Sequence, residues 1–117
     1  MQGMGLFCMS KKHWVGFNKS FSGFGGEEFY LHEKVRQHGG KTLCLPFLKW
    51  LHRFKRPNGV PYKLDIVDRI ANYLIGWSEL KIDTKQIIDH YRPLVYPHEL
   101  KTALDRFKKY KNSKNKK

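Results

Sequence analysis

Two adjacent carboxylates, Glu27 and Glu28, directly follow a glycine-rich run, Gly23-Phe24-Gly25-Gly26. Glycine permits a left-handed backbone and close approach by another molecule, so three glycines in four residues indicate a tight loop. A loop that presents carboxylates into a cleft can bind hydroxyl groups or supply a general base. The structural alternative is a helix start, where the helix dipole stabilises a carboxylate by about 0.3–1 kcal/mol. The six residues alone do not separate these two uses.

A second group of residues with potential chemistry is basic and consists of His52, Arg53, Lys55 and Arg56. A histidine on a loop after a strand can ligate a transition metal or Mn²⁺ through its imidazole. A lone histidine between aromatic residues also fits a hydrogen-bonded packing role. The three cations suit a phosphate or diphosphate, and the alternative is an ordinary solvated basic surface.

An aromatic segment precedes the glycine-rich run and contains Trp14, Phe17, Phe21 and Phe24. Aromatic side chains in a loop are costly to expose, because they carry a large apolar surface. They therefore either anchor the loop on a core or form a stacking surface for a ligand. Both uses stay open at this point.

The elements that must position these residues follow from local patterns. Residues 3–9 form an uncharged apolar run and residues 41–46 are β-prone, so both segments are predicted to be strands. A helix is predicted from about Glu27 to the Gly39-Gly40 pair. Further helices are predicted from about Leu64, through Tyr91 and from Pro97. The expected fold is α/β with a helical C-terminal extension, and its unpaired strand edges predict docking onto a missing domain or self-association.

The bulk composition indicates one small basic domain. The chain has 117 residues and a formal net charge of +13, of which residues 108–117 supply six lysines and no acid. Such a run predicts a solvated, disordered tail. Neither a signal peptide nor an apolar run of about 20 residues occurs, and the two cysteines lack metal-ligand spacing. A reducing, cytoplasmic location is expected.

The order and spacing of several motifs add a family resemblance. From about Gly3 to Leu80 the chain resembles the C-terminal part of nucleotide-sugar glycosyltransferases with the A-type fold, in a viral or bacterial branch. The motifs are Trp14-Val-Gly-Phe-Asn, Phe21-Ser-Gly-Phe-Gly-Gly-Glu-Glu, Leu43-Cys-Leu-Pro, Trp50-Leu-His-Arg-Phe and Arg56-Pro-Asn-Gly-Val-Pro-Tyr. The resemblance implies the C-terminal half of a Rossmann-like GT-A domain. It also implies a metal-dependent, inverting hexosyltransferase that uses a nucleotide sugar and a sugar or protein acceptor.

The resemblance assigns roles to individual residues. Glu28 resembles the catalytic base and Glu27 an acceptor-binding acid, although adjacent acids can exchange these roles. His52 resembles the histidine that completes a metal site. The expected acceptor-binding residues are Trp14, Phe17, Phe24, Gly25, Gly26 and Glu27, and the expected diphosphate-binding residues are Arg53, Lys55 and Arg56.

One part of the family pattern is missing from the sequence. No Asp-x-Asp motif occurs, and the nearest acids, Asp65 and Asp68, are spaced for one helix face. The chain is therefore predicted to be a fragment that lacks the nucleotide-binding half and is inactive alone. It would use Mn²⁺ or Mg²⁺ only if an N-terminal half or a partner chain supplied the missing part of the active site.

The expected organisation has three parts. Residues 1–62 form the acceptor and metal half, residues 63–107 a helical extension packed on it, and residues 108–117 the tail. The competing prediction is a small basic nucleic-acid-binding or interaction protein, with aromatic side chains stacking on bases and the lysine tail following phosphates.

Overall fold

The computed structural model describes residues 5–51 and 55–115. Within these ranges the chain forms four α-helices and one short 3-10 turn, and no strand is present. The helices are α1 (Glu27–Gln37), α2 (Ile66–Glu79), α3 (Lys85–Tyr91) and α4 (Pro97–Lys114), and the 3-10 turn is Lys11–His13. The prediction of an α/β, Rossmann-like GT-A fold is therefore wrong. None of the described helices is both long and apolar enough to cross a membrane.

The two predicted strands are the specific error. Residues 7–9 and 41–45 have no regular secondary structure, and the side chains of Leu43, Phe47 and Leu51 are largely exposed. A strand is stable only when a neighbouring strand pairs with its backbone N–H and C=O groups. The described part of the chain offers neither segment such a neighbour, so their β propensity is not expressed.

Helix α2 is the element on which the others pack. Its N-cap residue Asp65 accepts a hydrogen bond from the Val67 N–H over 2.8 Å, which satisfies one donor of the first turn. Apolar residues recur at helical spacing, and Ile70 and Leu74 are fully buried. The helix ends before Lys81, whose φ of 59° turns the chain away.

Helices α3 and α4 cover one side of α2. Ile87 of α3 and Ala103 of α4 are buried with α2 residues in a single core cluster. Helix α4 begins at Pro97, with the Glu99 carboxylate accepting from the Tyr96 N–H over 2.9 Å. It continues through Lys114, into the segment expected to be a disordered tail. Lysine is a good helix former, which explains the continuation of the helix.

Helix α1 packs against another side of α2 through Tyr30 and Leu31, both fully buried. The contact is close at Gly76, where an added Cβ would lie 3.0 Å from ring atoms of both Tyr30 and Phe21. Phe21 in turn meets Tyr30 edge-on, with ring centroids 4.8 Å apart. This packing fixes α1 against α2 and thereby positions the first turn of α1.

A polar network surrounds Glu79, the last residue of α2, beside the contact between α1 and α2. Its carboxylate pairs with the Lys34 ammonium at 3.1 Å and accepts from the Tyr30 hydroxyl at 3.0 Å and from the Asn18 amide. Burial alone would raise the pKa of Glu79, but the hydrogen bonds from Asn18, Lys34 and Tyr30 outweigh it and lower that pKa. The Asn18 amide also donates to the Tyr110 hydroxyl, so the network joins the aromatic segment to α4.

Candidate functional site

The glycine loop, residues 22–26, rests directly on helix α2. Gly25 and Gly26 have φ values of 108° and 89°, a region that other residues rarely adopt. A Cβ on Gly26 would lie 3.1 Å from both the Cβ of Asn72 and the backbone nitrogen of Tyr73. The glycines are therefore required by backbone geometry and by the approach of the loop to the helix.

Asn72 holds the glycine loop by three hydrogen bonds. Its amide nitrogen donates to the carbonyls of Ser22 at 2.8 Å and Gly25 at 2.9 Å, and its oxygen accepts from the Ser22 N–H at 3.0 Å. The residue is 3% exposed. A buried polar group costs stability unless it is paired, and Asn72 is paired through both ends of its amide. The loop conformation therefore depends on a side chain of α2.

Asp68, one turn before Asn72 on α2, also contacts the glycine loop. Its carboxylate accepts from the Ser22 hydroxyl at 2.9 Å and pairs with the Arg106 guanidinium of α4. A Cβ on Gly23 would lie 2.4 Å from the Asp68 carboxylate. The loop is thus connected to α4 as well as to α2.

The loop leads directly into α1. Glu27 and Glu28 lie in the first turn of that helix, and both are partly buried. The Glu27 carboxylate has no hydrogen-bond or ion-pair partner among the residues described. Burial raises the pKa of Tyr73. The Glu28 and Glu27 carboxylates raise this pKa further, whereas the Arg69 guanidinium lowers it. Both carboxylates and the Arg69 guanidinium therefore lie within electrostatic reach of the Tyr73 hydroxyl. Such a cluster can accept hydrogen bonds from ligand hydroxyls and hold a base beside them.

The aromatic residues form separate pairs. Phe24, within the loop, stacks on Tyr62 with centroids 5.2 Å apart, and the two side chains are 39% and 40% exposed. Trp14 and Phe17 form an edge-on pair at 5.2 Å, and no ring contact connects it to Phe24 in the described ranges. The structure thus brings Tyr62 onto Phe24, a residue of the glycine loop that leads to the two carboxylates. The predicted grouping of Trp14 and Phe17 with them stays a prediction.

The basic group is only partly within the described residues. His52 and Arg53, the expected metal ligand and one diphosphate ligand, lie outside them. Lys55 and Arg56 are exposed, and neither forms an ion pair with a described residue. No group of three His, Cys, Asp or Glu side chains suited to a metal occurs among residues 5–51 and 55–115. The expected Mn²⁺ or Mg²⁺ site, which would use His52 and a second half, therefore stays a prediction.

Apart from Tyr62, the residues of the site to which sequence reasoning gave no role are on α2: Asp68, Arg69, Asn72 and Tyr73. Each acts on a loop more than forty positions earlier in the chain, so no local spacing connects them. One signal was available, because Asn72 interrupts an otherwise apolar run between Ala71 and Leu74. A polar residue in a buried helix face requires a partner, and here the partner is the glycine loop.

Comparison with known proteins returns no relative. No protein-family model matches the sequence, no curated protein is significantly similar to it, and no solved structure matches the fold.

Proposed function

We propose that this chain is the acceptor-binding part of a sugar transferase, with Glu27 and Glu28 supplying the acceptor-binding acid and the general base. The observation that carries the proposal is the glycine loop that Asn72 holds against α2 and that ends at the two carboxylates. A transferase needs a carboxylate at a fixed position, because the base must meet the proton of the attacking hydroxyl. The proposal does not require the β-strands that were predicted from the sequence and that the described residues do not form.

The surroundings of the carboxylates suit a sugar. Phe24 and Tyr62 are stacked and partly exposed, and aromatic faces pack against the apolar face of a sugar ring. The Tyr73 hydroxyl is protonated at neutral pH, as tyrosine ordinarily is, and can donate to a sugar oxygen. The site therefore offers a stacking face, hydrogen-bond acceptors and a donor.

The proposal includes a second polypeptide that binds the nucleotide sugar. The exposed apolar side chains of residues 43–51 support it, since Phe47 is 74% and Leu51 83% exposed. The divalent metal implied by the resemblance would need ligands from that second polypeptide in addition to His52. Cys8 and Cys44 are free and exposed, which supports the cytoplasmic location that we include in the proposal.

The test is hexose binding by the isolated ¹⁵N-labelled chain, followed by NMR with methyl glycosides of glucose, galactose and N-acetylglucosamine. We expect saturable shifts in residues 24–28 with at least one glycoside, and their loss in Glu27→Gln or Glu28→Gln. Glu33→Gln is the matched control, because it removes one carboxylate charge from the same helix at a partly buried position outside the glycine loop. No saturable shift with any glycoside, or equal loss in the control, contradicts the proposal.

A second assay addresses the fragment prediction. The isolated chain, incubated with a nucleotide hexose and an acceptor glycoside, is expected to release no nucleoside diphosphate above background. Measurable transfer would show that the chain does not need a second half. The nucleic-acid alternative is less favoured, because Phe21, one of its stacking residues, packs against the buried Tyr30.

A further inference from the structure

A groove of about 590 Å³ lies between residues 20–22, helix α2 and the second half of α4. Ala71 and Ile75, one turn apart on α2, form its buried apolar floor. Hydroxyl groups surround this floor and belong to Ser20, Ser22, Tyr110 and Ser113. The groove thus combines a small apolar surface with several hydrogen-bonding groups.

The charge on the rim is positive. Arg106 and Lys109 of α4 line the groove, and Asp68 is its single lining carboxylate. Asp68 is already engaged by Arg106 and by the Ser22 hydroxyl, and its side chain is only 14% exposed. The ammonium group of Lys114 lies 5.8 Å from the centroid of the Tyr110 ring, which adds a further positive charge near the rim.

Lys109 is an exposed cation on the rim of the groove that remains available to a ligand. Its ammonium has no hydrogen-bond or ion-pair partner among residues 5–51 and 55–115. The sequence outside those ranges contains no aspartate or glutamate that could pair with it. An unpaired ammonium beside serine hydroxyls is an arrangement that accepts a phosphate oxygen.

We propose that this groove binds a phosphate ester with an apolar or ring-shaped body. The phosphate contacts Lys109 and Arg106, with the Ser20 hydroxyl as an additional donor. The body of the ester lies on Ala71 and Ile75. Neither Glu27 nor Glu28 lines the groove, so the proposal is independent of the sugar-transferase proposal.

A polyanion such as duplex DNA is the competing ligand, and the shape of the groove argues against it. A polyanion would use cations around the whole exposed surface of α4, including Lys101, Lys108 and Lys111. In the groove, by contrast, Lys109 is accompanied by hydroxyl groups and an apolar floor. A small ester uses all three features, whereas a polyanion uses the charge alone.

The experiment is an NMR titration of the ¹⁵N-labelled chain with p-nitrophenyl phosphate and with inorganic phosphate, at constant ionic strength. The key variant is Lys109→Gln, and Lys108→Gln is the matched control, because it removes the same charge from the neighbouring exposed position. We expect saturable shifts at the groove and tighter binding of the ester than of inorganic phosphate. Lys109→Gln should weaken ester binding by about tenfold, the loss typical of one charge-assisted hydrogen bond, and Lys108→Gln by less than about twofold.

Three results would overturn the proposal: no saturable binding of the ester, equal weakening by the two variants, or equal affinity for ester and inorganic phosphate. A 12-bp duplex is titrated in parallel at two salt concentrations. Tighter binding of the duplex than of the ester, with a steep salt dependence and equal effects of both lysine variants, would identify a polyanion surface and reject the groove. Circular dichroism of both variants shows whether they fold, and Arg106 is left intact because it holds Asp68.

Discussion

The amide nitrogen of Asn72 donates a hydrogen bond to the carbonyl of Gly25 over 2.9 Å, across 47 positions of sequence. With its two bonds to Ser22, this residue of α2 determines the path of a loop that has no regular secondary structure of its own. The position of Glu27 and Glu28 therefore depends on a residue that is not near them in sequence.

Replacing Asn72 should separate the loop from the helix. Asn72→Ala leaves the Ser22 and Gly25 carbonyls without their buried donor, so we expect the free energy of unfolding to fall by about 2–3 kcal/mol. Urea denaturation followed by circular dichroism measures the change. Asn112→Ala, at an exposed position of α4, is the control and should change stability by less than about 0.5 kcal/mol. Equal effects of the two substitutions would contradict the anchoring role of Asn72.

The close contact at Gly26 gives a second prediction. Gly26→Ala and Gly39→Ala both place an alanine at a positive φ, of 89° and 80°. Only the Gly26 substitution also brings a Cβ within 3.1 Å of α2, because nothing lies within 4 Å of a Cβ at Gly39. We expect Gly26→Ala to destabilise the chain by about 1–3 kcal/mol more than Gly39→Ala in thermal or urea unfolding. The same cost at both sites would mean that the loop does not rest on the helix.

The lowered pKa of Glu79 predicts acid sensitivity. A carboxylate with a lower pKa in the folded state stabilises the fold above its unfolded pKa of about 4.3, and this contribution is lost as pH falls through the folded pKa. Urea unfolding at about pH 6 and about pH 3 should therefore show a smaller loss of stability in Glu79→Gln than in the unsubstituted chain. Glu33→Gln serves as the comparison and should retain the full pH dependence.

A residual pH dependence is expected in Glu79→Gln as well. The hydrogen bond from Lys63, followed by that from the Val67 N–H, lowers the pKa of Asp65, so this carboxylate also loses its stabilising charge in acid. An unchanged pH profile in Glu79→Gln would contradict the role of the Glu79 network.

Trp77 provides a test of packing. Its indole N–H is buried and has no hydrogen-bond partner in the part of the chain that the structure describes. Trp77→Phe removes this unpaired donor and keeps an aromatic ring near Phe29, so we expect a stability change within about 1 kcal/mol. Leu74→Ala, by contrast, opens a cavity in the core and should cost about 2–5 kcal/mol. A loss of several kcal/mol on Trp77→Phe would show that the N–H is satisfied in solution.

The helices were predictable because their signals are local. The Gly39-Gly40 pair ends α1, and Pro97 opens α4, at or within two residues of the positions that the sequence indicates. The strands were not predictable by the same means. The β propensity of residues 41–46 is realised only if another strand pairs with them, and that condition lies outside any local window.

The site was predictable in part. The positive φ values at Gly25 and Gly26 and the placement of Glu27 and Glu28 at a helix start follow from the sequence run itself. The contacts of Asn72 and Asp68 with that loop do not, since each bridges more than forty positions. In the aromatic segment, residue type alone did not predict which rings pack on the core. Phe21 packs against Tyr30, whereas Trp14 and Phe17 form a separate pair.

The central place of α2 has a consequence for the order in which the molecule assembles. Its contacts with α3 and α4 close short stretches of chain, whereas its contact with α1 must close the long connection of residues 38–65. Shorter closures cost less entropy and form sooner, so α2, α3 and α4 make the natural folding nucleus. We expect the Asn72 contacts with the glycine loop to form after this nucleus, so that the carboxylates reach their positions late in folding.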